Sequence, residues 1–444
     1  MAAQYIAELP NRRVAPSDHS IADLQNLDLP MPDLPGDPCD TVRLLHKWGS
    51  PATVASAGGR FFGLVVGGSL PSALGARVLS AGWDQIVLNG STSPVGIQIE
   101  RLCSRWILEV LGLQAGLSVG FVTGATMANF TCLAAARQRS LERLGWNADR
   151  DGLFGAPRPR IVASREIHVT AVKALRLLGF GSERIEWVEC DPNGAMRSDK
   201  LPKLDASAIV LTQVGNVNSG ASDPIGEIVD KSNGAWVHVD GAFGLWAAAS
   251  RKHRTQLSGY EKADSWTVDG HKWLNTPYDC GMAICRHPAP LHSSMATQAP
   301  YLADGVAAPP KDMVPEFSRS ARAVEVWAAL HALGKQGLED LIVRNCRHAQ
   351  TMADSFQRLG FEILNDVCLN QVVATLPGRE ADCEKIADQV QASGDAWFGT
   401  TRWKGRQAIR LSFSSWLTTD ADIVQTVAAI ERALTPLFVR NRRR

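Results

Sequence analysis

Apolar positions change period several times along this chain. Ile99, Leu102, Cys103, Trp106, Ile107 and Val110 recur at three- and four-residue spacing, which predicts a helix with one buried face. After it, short β-rich runs at residues 160–163, 208–212, 236–240, 265–268 and 282–285 alternate with helical stretches. That alternation predicts an α/β domain with an extensive, largely parallel sheet. From about residue 336 a helical pattern leads into strand-like runs at 371–375 and 408–413 and a last helix over 419–434. This predicts a smaller C-terminal α+β domain. The first sixty residues are rich in Pro and Asp, as in Leu29-Pro30-Met31-Pro32-Asp33, and read as an extended arm with at most short helices. Such an arm packs on something else, for example a second subunit. The expected division is an arm at 1–65, a large domain at 66–335 and a small domain at 336–444.

Composition narrows the function classes. With 444 residues, 45% hydrophobic and 20% charged, the chain can bury a sizeable core. Lys+Arg 46 against Asp+Glu 45 leaves no global field to hold nucleic acid or an anionic membrane. The basic run at 439–444 reads as a solvated tail. Nine cysteines, an odd number without a C-x-x-C pair, indicate neither a disulfide framework nor a zinc site, and no metal is expected. No basic and apolar leader opens the sequence and no apolar run approaches about 20 residues. A cytoplasmic protein is the expectation.

Four local features carry chemistry. Asp269-Gly270-His271-Lys272-Trp273 puts a lysine at the end of an apolar strand. Lysines in such places form Schiff bases with carbonyls, pyridoxal 5′-phosphate being the commonest partner; the alternative is an exposed loop lysine. The small-residue turn Gly124-Ala125-Thr126 opens a helical pattern running to about Arg143. Its N–H groups and the Thr126 hydroxyl would cradle a phosphate, or the turn is ordinary capping. Asp240 ends a strand ahead of Gly241 and Ala242, where it can pair with a protonated pyridine nitrogen or cap the next helix. His168, just past another strand, can stack on a cofactor ring and handle protons, or cap the helix after it.

The ordered set T-G-A-T, H-x-x-x-x-K-A, H-V-D-G-A and D-G-H-K-W resembles the group II pyridoxal-phosphate-dependent decarboxylases, which include the aromatic amino acid and glutamate decarboxylases. Arg60-Phe61-Phe62-Gly63, Trp83-Asp84-Gln85, Pro277-Tyr278-Asp279-Cys280-Gly281 and Ser318-Arg319-Ser320-Ala321-Arg322 extend the similarity over roughly residues 50 to 430. The resemblance implies fold type I, the aspartate aminotransferase-like α/β fold: a mainly parallel seven-stranded sheet, a small C-terminal domain and an N-terminal arm. It implies Lys272 as the lysine of the internal aldimine, Asp240 as the partner of the pyridine nitrogen, and His168 and Ala242 on the two ring faces. Gly124, Ala125 and Thr126 match the phosphate cup, with Asp269 and His271 beside the lysine and Asn218 a further contact. Phe61, Phe62, Trp83 and Gln85 would meet the substrate, some across the interface of a homodimer with shared active sites.

The implied reaction is decarboxylation of an L-amino acid, with an aromatic one as first expectation, to an amine and CO₂ through a quinonoid carbanion. One departure qualifies this. The family's aromatic decarboxylases protonate that carbanion with the help of a loop tyrosine, whereas residues 302–317 contain none and Tyr301 precedes them. An oxygen-consuming, aldehyde-forming reaction or another lyase outcome is therefore the alternative. Arg410, on an alternating strand, and Arg60 are each either carboxylate-binding or structural.

Overall fold

The computed structural model describes residues 1–297 and 309–441. Two compact units emerge, one formed by Ser69–Cys346 and the other joining Met1–Gly68 to Arg347–Arg444.

The larger unit is built on a seven-stranded sheet of β1 (Ser118–Val122), β2 (Ile161–Ser164), β3 (Ile185–Val188), β4 (Ile209–Gln213), β5 (Trp236–Asp240), β6 (Ser265–Asp269) and β7 (Gly281–Cys285). Their order is β1-β7-β6-β5-β4-β2-β3. Pairings from β3 through β6 are parallel, and β7 runs antiparallel to both β6 and β1. The connection from β6 to β7 holds no crossover helix, so β7 must reverse direction. Strands β4 to β7 are buried at every residue, as a sheet covered on both faces requires.

The two strands that the residue pattern did not announce, β1 and β3, have physical reasons to be quiet. β3 (Ile-Glu-Trp-Val) lies at the sheet edge with its middle residues partly exposed. β1 carries Gly120, where a Cβ would come within 2.6 Å of Val314 Cγ1 and 3.0 Å of the Met313 carbonyl; close packing, not β propensity, selects the residue. The helix Ala125–Arg143 packs across the sheet, and Leu133, Ala134, Leu175, Ile209 and Leu211 share one core cluster. Each such buried aliphatic side chain stabilises the fold by about 1.5–3 kcal/mol.

The smaller unit has an antiparallel sheet of β8 (Glu362–Ile363), β9 (Gln371–Thr375), β10 (Gly399–Trp403) and β11 (Arg406–Ser412), in the order β10-β11-β9-β8. Helices Asp382–Ser393 and Asp420–Asn441 accompany it. The N-terminal segment contributes the short helices Ala2–Glu8 and Asp18–Ala22 and a longer one, Pro38–Gly49. It is anchored to this unit: the Val14 N–H donates to the Gly394 carbonyl, and Arg13 donates to the carbonyls of Ala392 and Ser393.

Four residues left open or assigned to substrate make structural contacts here. Arg60, buried, donates to the carbonyls of Pro10, Arg12 and Asp395 and lies 3.6 Å from Asp422. Arg410 donates to the Leu64 carbonyl at 2.8 Å, and burial pushes its guanidinium down to about 10. Phe62 is 1% exposed and packs 4.8 Å from Phe413 inside the core, which withdraws it as a substrate contact. Phe61 stacks on Trp397 with ring centroids 4.9 Å apart.

All nine cysteines are free thiols. Among the described residues, no helix is long and apolar enough to cross a membrane, and no group of three or more His, Cys, Asp or Glu could hold a metal ion.

Candidate active site

The parallel strands end at one edge of the sheet, and the residues with chemical potential follow those ends: Gly124 after β1, His168 after β2, Asn218 after β4, Asp240 at the end of β5, and Asp269 to Lys272 after β6. That edge is where open α/β sheets bind ligands. Lys272 Nζ lies 3.3 Å from Asp269 Oδ2, with its side chain 19% exposed. His271 Nδ1 accepts the Cys280 N–H at 3.1 Å, so its proton resides on Nε2, 3.5 Å from the same Asp269 oxygen. Burial lowers the pKa of His271. Tyr278, exposed, stacks over the His271 ring at 4.3 Å.

The turn after β1 closes on this group. A Cβ on Gly124 would sit 3.0 Å from His271 Cε1 and 3.6 Å from Asp269 Oδ1, so Gly124 lies directly against both residues. No side chain caps the 19-residue helix that begins at Ala125. The Met127 and Ala128 N–H groups donate to the Gly124 carbonyl, which leaves those of Ala125 and Thr126 as the helix's first donors without an intrahelical partner.

Asp240 is 5% exposed and firmly held. Its Oδ1 accepts the Ala242 N–H at 3.1 Å, and its Oδ2 accepts from Asn129 Nδ2 at 2.9 Å. The Ala242 carbonyl accepts the Asp269 N–H at 2.8 Å, which couples the ends of β5 and β6. His168 caps the helix Val169–Leu177, its Nδ1 accepting the Thr170 N–H at 3.4 Å. In the same loop the Glu166 carbonyl accepts from Gln213 Nε2 at 3.1 Å and Asn216 Nδ2 at 3.3 Å. Gln213 pairs in register with Asp240, so this loop stands beside the aspartate's strand. Asn218 donates its N–H to Asn216 Oδ1 at 2.8 Å. Trp83 closes the helix Pro71–Trp83 at 38% exposure, and Gln85 Nε2 donates to its carbonyl. Among the described residues, neither side chain hydrogen-bonds to the strand-edge cluster.

A lysine amine, a locked carboxylate and an uncapped helix end at one sheet edge agree with the domain that residues 51–376 match, described as the pyridoxal-dependent decarboxylase conserved domain. The chain belongs to the pyridoxal-dependent decarboxylase family. It is a pyridoxal-phosphate-dependent carboxy-lyase acting on amino acids. It is 27% identical to the aromatic-L-amino-acid decarboxylase of Bacillus atrophaeus, covering 75% of this chain and 72% of that one. It is 25% identical to the phenylacetaldehyde synthase of Arabidopsis thaliana, over 82% and 79% of the two chains. A solved Oryza sativa structure described as TDC with PLP and tryptamine shares the fold, with TM-score 0.90, 22% identity and coverage of 98% and 96%.

The decarboxylase cofactor fits what is present. Asp269 Oδ1 is buried without a hydrogen-bond partner on the carboxylate that faces Lys272, which leaves unmet polar capacity beside the lysine. The glycines keep the cradle open: a Cβ on Gly281 would lie 2.5 Å from Gly124 Cα and 2.7 Å from Asp269 Oδ1. Sequence reasoning missed Asn129, His238, Ser265 and Tyr278 as members of this region. His238 stands two residues before Asp240, a strand spacing that places both side chains on one face, and that signal was available.

Proposed function

We propose that this decarboxylase converts an aromatic L-amino acid to its amine and CO₂. The carrying observation is the convergence of Lys272, Asp240 and the Gly124–Thr126 turn at one edge of the sheet. Bound pyridoxal phosphate supplies the electron sink that takes up the pair left when the Cα–carboxylate bond breaks. Lys272 would hold the cofactor through Nζ. Asp240 would partner the ring nitrogen and keep a proton there, and His168 and Ala242 would pack against the ring. The N–H groups at Ala125 and Thr126, with the Thr126 hydroxyl, would hold the phosphate, and Asn218 and His271 would be further cofactor contacts. With no tyrosine in residues 302–317, the proton for Cα would come from His168 or from another group.

The substrate class is supported by the aromatic decarboxylase relative and by Trp83, an exposed indole suited to a second subunit's site. Gln85 and Phe61 complete the substrate set of a cytoplasmic homodimer. A second reading, oxygen-dependent aldehyde formation, is favoured by the missing loop tyrosine and by the phenylacetaldehyde synthase relative.

The test is incubation of the holoenzyme with mixed L-amino acids under air and under argon, following CO₂, amine, aldehyde and oxygen. CO₂ with matching amine and no oxygen uptake is expected. Aldehyde with oxygen uptake establishes the second reading, and absence of CO₂ overturns both. Lys272→Ala should also abolish the visible absorption of the bound cofactor; a band surviving unchanged removes Lys272 from its role.

A further inference from the structure

Behind Asp240 runs a line of buried polar groups from three elements. Trp236 Nε1 lies 2.9 Å from Ser265 Oγ, Ser265 Oγ 2.8 Å from His238 Nδ1, His238 Nε2 2.8 Å from Asn129 Oδ1, and Asn129 Nδ2 2.9 Å from Asp240 Oδ2. None of the five side chains is more than 5% exposed. The direction of every bond is settled from the carboxylate end. The Asp240 carboxylate only accepts, so Asn129 donates to it through Nδ2 and its Oδ1 accepts from His238 Nε2. In the neutral ring Nδ1 is then an acceptor, and it takes the hydroxyl proton of Ser265, whose oxygen accepts the Trp236 indole N–H. Reversing the Asn129 amide would set its oxygen against the carboxylate. Burial pushes His238 down to about 4, so the ring is neutral and the order holds at ordinary pH.

With Asn129 on Oδ2 and the Ala242 N–H on Oδ1, both carboxylate oxygens are fixed. We propose that Asn129 and His238 are positioning residues that hold the Asp240 carboxylate turned toward the pyridine nitrogen of pyridoxal phosphate. The inference rests on the reading of Asp240 as partner of that nitrogen. A line of polar groups whose members satisfy one another rigidifies what it touches. Here its last member is the acid that must stay aligned while charge moves into the ring.

The experiment compares wild type, Asp240→Asn, Asn129→Leu, His238→Leu and His238→Gln. For each, the cofactor dissociation constant, the absorption spectrum of the bound cofactor and the melting temperature of the apoprotein are measured. Asn129→Leu should weaken cofactor binding about ten- to a hundred-fold, the worth of a hydrogen bond to a charged group. It should move the spectrum in the same direction as Asp240→Asn. His238→Leu should show a smaller effect of the same sign. His238→Gln should restore most of the wild-type value, because its amide can still donate to Asn129. A lower apoprotein melting temperature with unchanged affinity and spectrum in Asn129→Leu overturns the proposal. Should Asn129→Leu fail to fold, equal affinities and spectra in the two His238 variants overturn it. If Asp240→Asn itself leaves affinity and spectrum unchanged, the reading of Asp240 fails, and the proposal with it.

Discussion

Gly281→Ala tests the close approach that shapes the cofactor cradle. Gly281 opens β7, pairing with Val122 on one side and Asp269 on the other. A methyl group there would lie 2.5 Å from Gly124 Cα, 2.7 Å from the Gly124 carbonyl carbon and 2.7 Å from Asp269 Oδ1. Comfortable carbon contacts are about 3.5–4.0 Å, so backbone must shift by about 1 Å. Two of the three opposing atoms are main chain and cannot rotate away. Overpacking of this kind costs about 1–3 kcal/mol. The movement opens the turn after β1 that is proposed to hold the phosphate, so a loss of about tenfold in affinity accompanies each 1.4 kcal/mol of misalignment. Denaturant unfolding of the apoprotein and fluorescence titration with pyridoxal phosphate measure the two effects separately. Gly75→Ala is the control: it lies in the helix Pro71–Trp83 with nothing within 4 Å of a new Cβ. There the substitution should stabilise by about 0.5–1 kcal/mol and leave affinity alone. Equal stability and affinity for Gly281→Ala and wild type would refute the reasoning.

Further outcomes follow from buried charge. Burial pushes His238 down to about 4, below the ordinary imidazole value of 6.5, so the unfolded chain binds the extra proton as pH falls. Stability from this group is fully present above pH 6.5 and is lost down to about pH 4, by about 3 kcal/mol; His238→Gln should flatten that slope in unfolding curves taken across the window. Arg319 engages both oxygens of Glu100, the pair being almost fully buried, so Arg319→Met should cost about 3–5 kcal/mol by urea unfolding. Adding Glu100→Gln should recover a large part of that loss; no recovery places the cost in packing instead of orphaned charge. Arg60→Ala, which removes the donors to the Pro10, Arg12 and Asp395 carbonyls, should expose the N-terminal segment to limited proteolysis before the rest of the chain.

The residue pattern announced most strands in which burial on both faces demanded a run of apolar residues, as at Ile209–Gln213 and Trp236–Asp240. The helix Ala125–Arg143 was legible to its last residue. β1 and β3 were not, because a close-packed glycine and an exposed edge remove the signal that periodicity relies on. β8, two residues long, and β10, partly exposed, were silent for the same reason. Phe62 was misjudged for a related cause. Its place in a motif said nothing of whether its ring faces a ligand or a core.

Residue order by itself determined the alternation of strand and helix, the positions of Lys272, Asp240 and His168 at strand ends, and through them the family. Tertiary structure alone decided what surrounds them. That Gly124 lies against His271 and Asp269 depends on β7 entering the sheet between β1 and β6, a pairing between segments more than 140 residues apart. That Asn129 reaches Asp240 depends on a helix crossing the sheet, with 111 residues of chain between donor and acceptor. Periodicity reports only which face of an element is buried; which partner waits on that face is chosen by packing across the whole unit.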